Sequence, residues 1–179
     1  MNANQINNVV LFIVLIWTVS LLVVPFAVPG GRLVELSGSS WAIDNYDQFS
    51  VLPAYPQVIY LIGDLTCHQI AERSYHLNNN QMAVCSRCFA IYLGIVIGML
   101  LSIIMKIKLT GKCIVFVLFS VVPLGIDGTG QLLGYWVSTN ILRILTGLLA
   151  GMGVGIALAV SIVEMQRIIL IIKEDLYSD

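Results

Sequence analysis

The chain has little charge. Of its 179 residues only 11% are Asp, Glu, Lys or Arg, against about a quarter in an average soluble domain. There is no basic excess either: nine Lys and Arg against ten Asp and Glu leave a net charge of −1. Nucleic-acid binders carry a clustered basic face, so no nucleic-acid partner is expected. Also missing are an internal repeat, a heptad seam, a glycine-rich loop able to cradle phosphate and any low-complexity tract. Histidine occurs twice and cysteine four times, so chemistry resting on these residues has few candidates.

What is plentiful is apolar sequence, 58% of the chain, gathered in long uncharged runs. Residues 9–28, 89–105 and 144–163 carry no charge, and 113–142 carry only Asp127. A helix that crosses a bilayer needs roughly 20 apolar residues. These runs predict an all-α membrane protein with four transmembrane helices, over about 8–28, 89–105, 113–133 and 141–164. We expect one polytopic domain, 1–179, in the lipid bilayer of the cell membrane. A soluble helical protein with such runs would keep almost no polar surface. The first run is expected to be a retained helix: no Lys or Arg precedes it, and it is longer than the apolar core of a signal peptide.

Cytoplasmic loops are enriched in Lys and Arg. Lys106, Lys108 and Lys112 crowd the link between the second and third runs, and Arg167 and Lys173 follow the fourth. This distribution predicts both termini and the Lys-rich link in the cytoplasm, with the loop of about 29–88 outside. Pro25, Pro29, Gly30 and Gly31 end the first helix, and Gly38, Ser39, Ser40, Asp44, Asn45 and Asp47 predict an irregular segment. Its aromatics Trp41, Tyr46 and Phe49 are expected at the membrane interface. The stretch from Tyr55 to Leu65 is apolar but too short to span, and predicts a re-entrant or interfacial helix within a small extracytoplasmic cap. Asp64 and Glu72 are expected to be solvated. Gly94 and Gly98 in the second run, and Gly147, Gly151 and Gly155 in the fourth, have the spacing that lets helix backbones approach closely in lipid.

Three of the four cysteines and both histidines lie in residues 67–88, which start Cys67-His68-Gln69 and end Cys85-Ser86-Arg87-Cys88 at the mouth of the second apolar run. As a metal site, Cys67, Cys85, Cys88 and His68 supply four N/S ligands, the set of tetrahedral zinc. Adjacent Cys67 and His68 can both bind only if the backbone turns there, so His76 is the substitute for His68. Arg87 would offset the thiolate charge. As a redox site, Cys85 and Cys88 form a dithiol at a helix N-terminus, where the thiolate is favoured, with Cys67 as shuttle and a quinone as electron acceptor. A structural disulfide is the third reading, and it leaves an odd cysteine. Cys113 stands alone and is expected to be an inert small hydrophobe.

A second constellation lies inside the apolar runs. Asp127 and Gln131 are four apart and share a helix face, and Asn140 and Arg143 are three apart at the start of the fourth run. A charge in a membrane segment faces the bundle and has a partner. Asp127 and Arg143 are the expected pair. In the catalytic reading Asp127 acts as base and Arg143 as anion holder, supported by Gln131 and Asn140. Gly125, Gly128 and Gly130 around Asp127 predict a broken helix end.

Further residues carry a resemblance: Glu72-Arg73-Ser74, Gln81-Met82 before Cys85-Ser-Arg-Cys88, Ile91-Tyr92-Leu93-Gly94, Pro123, Asp127-Gly128 with Gln131-Leu132, and Ser138-Thr139-Asn140 with Arg143 and Thr146-Gly147. With Cys67-His68-Gln69, they resemble a family of small prokaryotic polytopic membrane proteins of unknown function, over roughly residues 60–155. The resemblance groups the two constellations in one site and implies no activity. The layout is also loosely similar to quinone-linked disulfide oxidoreductases of the vitamin K epoxide reductase type, but a second clear cysteine pair is missing. The expected function is a Cys/His zinc site at the extracytoplasmic membrane face, either structural or serving a membrane-embedded hydrolase or transferase of a lipidic substrate. The alternatives are a quinone-linked thiol–disulfide oxidoreductase using Cys85 and Cys88, and a non-catalytic accessory subunit of a larger membrane complex.

Overall fold

The computed structural model describes residues 2–36, 38, 39 and 41–177; Ser40, one of the expected turn formers, lies outside them. Four helices are long and apolar enough to cross a membrane. Helix α1 (Ala3–Val23) starts at Asn2, whose side chain accepts from the Gln5 N–H while Gln5 reaches back to the Asn2 N–H. This capping box satisfies two otherwise orphaned donors. Pro25 then tightens the chain into a 3-10 turn, Val24–Phe26, that ends the span. After the cap come α4 (Ser86–Met105), α5 (Gly111–Leu132) and α6 (Asn140–Tyr177).

The closest helix pair is α4 with α6, and glycine is the reason. A Cβ built on Gly94 would lie 2.4 Å from the Leu148 carbonyl, and one on Gly151 would lie 2.2 Å from the Ile91 carbonyl. Gly98, Gly147 and Gly155 meet backbone on the facing helix in the same way. In lipid there is no hydrophobic drive between helices, so close backbone packing supplies the association. Helix α5 packs on α6, and α1 lies against α4 and α6, where Trp17 meets Tyr92 edge-on at 5.9 Å and Asn7 donates to the Ala159 carbonyl at 3.2 Å.

Two expectations about the spans need correction. Helix α5 is not broken near Asp127: it is continuous past Gly125, Gly128 and Gly130, with Pro123 inside it. In hydrocarbon each unpaired backbone group is costly, so the ladder continues despite poor helix formers. The helix ends only at Leu132, ahead of Gly134 at φ 77, and Gly130 makes room for the Trp136 ring. Helix α6 runs well past residue 164, where the apolar stretch ends. No Gly or Pro follows Gly155 in α6, and Glu164 and Arg167 pair along it at 3.6 Å.

The cap between α1 and α4 holds α2 (Tyr46–Phe49), α3 (Ala54–Thr66) and a hairpin of β1 (His76–Leu77) and β2 (Asn80–Gln81). The hairpin adds two short strands to an otherwise helical chain. Its turn residues Asn78 and Asn79 have φ of 53° and 56°, the left-handed pair that a two-residue hairpin requires and that Asn tolerates. Leu21, Val24, Leu33, Phe49 and Tyr60 are fully buried and seat the cap on the end of α1. Phe49 is thus in the cap core against Tyr60, 5.4 Å between rings, and not at the membrane interface: α2 turns it inward. Asp64 is also buried, contrary to expectation. Its carboxylate accepts from the Asn45 N–H at 2.9 Å and from Asn45 Nδ2 at 2.8 Å, which replaces the lost water.

Three buried amides hold this irregular chain in place. Asn80 Oδ1 accepts from the N–H groups of Arg32 and Leu33, and its Nδ2 donates to the carbonyls of Pro25 and Val28. Gln81 Oε1 accepts from the Leu36 N–H at 2.9 Å, and its backbone carbonyl accepts from Tyr60. Gln69 Nε2 donates to the Ala83 carbonyl at 2.7 Å. These side chains do for the cap what a strand ladder does elsewhere.

Gly151→Val should force α4 and α6 apart and cost roughly 1–3 kcal/mol, as overpacking does. Gly125→Ala, with open space around it, should keep or raise the melting temperature of the purified protein, since Ala is the better helix former. Equal melting temperatures for both variants would show that the seam does not set stability.

Candidate metal centre

Two separate parts of the chain deliver the cysteines. Cys67 ends α3, where its N–H still bonds to the Gly63 carbonyl. Gly63 lets that end lie against Ala83, since a Cβ there would come within 2.1 Å of the Ala83 carbonyl. Cys85 is the N-cap of α4 and Cys88 lies in its first turn. The three sulfurs lie within 4.8 Å of one another, and the Cys85 N–H donates to Cys67 Sγ at 3.2 Å. Zinc with Zn–S bonds of about 2.3 Å would set tetrahedral sulfurs about 3.8 Å apart. The group could therefore hold a metal ion with little movement. Cys113 lies at the far end, in the first turn of α5.

Neither histidine belongs to the converging group among the described residues. Cys67 has an extended backbone, φ −145° and ψ 146°, and successive side chains of an extended chain point to opposite sides. Cys67 faces inward and is 3% exposed; His68 is exposed on the rim of the same cavity. His76 is exposed on β1, its Nε2 3.4 Å from the Val34 carbonyl.

Sulfur contact also divides the proton affinities. Hydrogen bonding from Cys67, then from Cys88, holds Cys85 far below the ordinary thiol range, so Cys85 carries the thiolate. The same contact with Cys85 pushes Cys67 up to about 11.

Beneath the sulfurs lies a cationic cluster that differs from the expected pair. Asp127, 3% exposed, pairs with Arg87 and not with Arg143. Its Oδ2 also accepts from Ser138 Oγ at 3.0 Å, and its Oδ1 from Trp136 Nε1 at 3.4 Å. Arg87 wins because it extends from the first turn of α4 onto the α5 face that carries Asp127. Arg143, equally buried, instead donates from Nη1 to Asn140 Oδ1 at 2.9 Å. Its Nη2 lies 3.0 Å from Gln131, which is assigned with the amide oxygen toward the arginines; Arg73 Nη2 reaches the same oxygen at 3.1 Å. Asn140 also ties helix to cap: Ser86 Oγ is 2.9 Å from Asn140 Oδ1 and 2.7 Å from the Arg73 carbonyl. Asp127, Gln131, Asn140 and Arg143 thus form one network, and it includes Arg73, Arg87 and Ser138, which sequence reasoning did not assign to it. Arg87 was expected beside the thiolates and Arg73 stood only within the Glu72-Arg73-Ser74 stretch, because the reach of both onto α5 depends on where the cap settles.

Two cavities open on this network. One of about 330 Å³ is lined by the three cysteines with Trp41, His68 and the arginines 73, 87 and 143. The other, about 420 Å³, is lined by Arg73, Gln131, Trp136, Ser138 and Arg143, with exposed Glu72 at its rim.

Fold and site together define a polytopic four-helix membrane protein carrying a three-cysteine group that could hold a metal ion. Residues 67–157, just over half of the chain, match the family described as "Predicted membrane protein (DUF2085)", and the chain belongs to that family. The match runs from Cys67 through α4 and α5 into α6, so it takes in the cysteine group and the arginine network. An uncharacterized protein of Methanocaldococcus jannaschii is 38% identical over 97 residues, which cover 52% of this chain and 61% of that protein. One from Methanothermobacter thermautotrophicus is 40% identical over 90 residues, 50% of this chain and 81% of its own length. No solved structure matches.

In metal-free protein at neutral pH, iodoacetamide should label Cys85 well before Cys67, followed by mass spectrometry of the peptides. Labelling of Cys67 first would contradict the division of proton affinities above.

Proposed function

We infer that Cys67, Cys85 and Cys88 bind zinc, and that the ion joins the cap to the membrane bundle. The observation that carries this is the convergence of three sulfurs from two segments within 4.8 Å. Soft thiolate donors in this number select zinc over the hard cations. Three protein ligands leave a fourth tetrahedral position, which water or a small molecule entering from the cavity can take. When bound there, zinc supplies Lewis-acid polarisation. The adjoining polar cavities support a hydrolase or transferase working on a lipidic substrate at the membrane face. In that reading Arg143 holds substrate charge, and Gln131 and Asn140 orient it. Asp127 already receives Arg87, Ser138 and Trp136, which favours a positioning role over that of a proton carrier. The rival thiol oxidoreductase is favoured by the contact of Cys85 with Cys67, which also holds Cys85 below the ordinary thiol range, as a nucleophilic thiol needs.

Metal analysis of the purified chain should give about one zinc per protein, lost in Cys67→Ser and Cys88→Ser, with the wild-type thiols resisting alkylation until a chelator is added. A metal-free wild type with Cys85 and Cys88 disulfide-bonded, and with that disulfide restored by quinone after chemical reduction to the dithiol, would favour the rival.

The Lys-rich link lies at the opposite end of the bundle from the cysteines. That supports an extracytoplasmic site with both termini in the cytoplasm. In intact cells, a membrane-impermeant maleimide should label a cysteine placed at exposed Val51 and spare Cys113. The reverse pattern would invert the topology.

A further inference from the structure

We propose that Arg73 and Arg143, flanked by Arg87, form a binding site for a phosphate group. The first ground is an imbalance of charge. Three guanidiniums face the cavity beside the cysteines, and the only carboxylate paired with any of them, among the described residues, is Asp127 with Arg87. If the cysteines hold a divalent ion, three thiolates and the ion sum to −1. With Asp127 that is −2 against +3; Glu72, at the rim of the larger cavity, is exposed and forms no ion pair with the arginines among the described residues, so the buried excess falls on Arg73 and Arg143.

The second ground is unused donors. Arg143 is 3% exposed, and its Nε is buried without a partner, as is that of Arg87. Buried polar groups are ordinarily satisfied. The Arg143 fork is held in place by Asn140 and Gln131, so its orientation does not depend on a ligand. Arg73 and Arg143 also reach the same neutral oxygen, that of Gln131, at 3.1 and 3.0 Å. Two cations converging on one uncharged acceptor is an arrangement that an oxyanion improves.

The third ground is shape. A carboxylate is satisfied by one guanidinium fork. A phosphate offers enough oxygens to engage Arg73 and Arg143 together while meeting the Arg87 edge. These two side chains line both cavities, so the anion would lie between the cysteine group and the more open space. The starts of α4 and α6, at Ser86 and Asn140, add positive helix ends on the same side. The source is either free phosphate or a lipid headgroup with the same chemistry. The site stands on the arginines and does not require zinc to be bound.

The test uses the full chain in phospholipid-free detergent, both as purified and after EDTA treatment. Its thermal stability is followed against inorganic phosphate, dioleoylphosphatidic acid and dioleoylphosphatidylcholine. We expect saturable stabilisation by phosphate, by phosphatidic acid or by both, and none by phosphatidylcholine. Phosphate alone identifies the free ion; phosphatidic acid alone identifies a headgroup. The midpoint should rise at least tenfold in Arg143→Lys, which keeps the charge but loses the fork, and in Arg73→Gln. If Arg143→Lys does not fold, Arg73→Gln decides, since that side chain is only half-buried. The proposal is overturned if neither phosphate compound stabilises the wild type beyond phosphatidylcholine, or if the variants respond as the wild type does. Absence of zinc from the protein as purified, with phosphate binding intact, would refute the metal reading and leave this one standing.

Discussion

Gly94 and Gly98 of α4 and Gly147, Gly151 and Gly155 of α6 each lie against backbone of the facing helix, and Gly94 meets Gly151 directly. Much of the candidate site is mounted on this contact. The upper end of α4 carries Cys85, Ser86, Arg87 and Cys88; that of α6 carries Asn140 and Arg143. A Cβ on Gly147 would lie 2.7 Å from the Arg87 carbonyl, so the seam extends into the site and sets the separation of the two arginines. A side chain's width inserted between the helices would move Asn140 and Arg143 away from Ser86 and Arg87, and the cap would lose its anchor on α6. Packing and chemistry are here the same constraint.

The price of that mounting is electrostatic. Arg73 and Arg143 have Nη2 atoms that both lie about 3 Å from Gln131 Oε1, hence no more than about 6 Å apart. At an effective dielectric constant near 20, two unit charges at that distance repel by about 3 kcal/mol. A neutral amide offsets part of this, and the thiolate of Cys85 offsets more. Asp127 contributes least to this pair, because it is committed to Arg87. An anion in the cavity that Arg73 and Arg143 line would relieve this repulsion.

The four spans were legible because hydrophobic runs of about 20 residues between charged links admit few other structures. The cysteine window was legible too: soft ligands are scarce in this chain, and three of the four are gathered before one apolar run. What could not be read was decided by side-chain reach. Asp127 lies one helix away from both Arg87 and Arg143, and spacing along the chain does not rank these distances. Asp64 and Phe49 looked like surface residues because the loop around them is polar and irregular; the cap buries them by supplying Asn45 and Tyr60 as partners. The extended backbone at Cys67 decided against adjacent Cys67 and His68 pointing the same way. Gly125 and Gly128 misled in the opposite sense, since the bilayer enforces a helix that local propensity disfavours.

The cap has few regular elements, and most of its order comes from Asn80, Gln81 and Gln69 bonded to backbone. Such a network is cooperative: each amide is satisfied only if the segments it bridges are already in place. Cys67 depends on it, because the end of α3 is held by Gln69 and by the Gly63–Ala83 contact. Cys85 and Cys88 do not, being fixed by α4. An ion shared by the three sulfurs would therefore link a segment held by polar side chains to one held by helix packing. Its binding energy would fall on the less secure partner, the cap. Arg73 belongs to the cap as well, so any event that loosens Cys67 also withdraws one arm of the arginine cluster. The cysteine group and the cationic cavity are in this sense coupled through one piece of chain, residues 67–74, even though they share no side-chain donor.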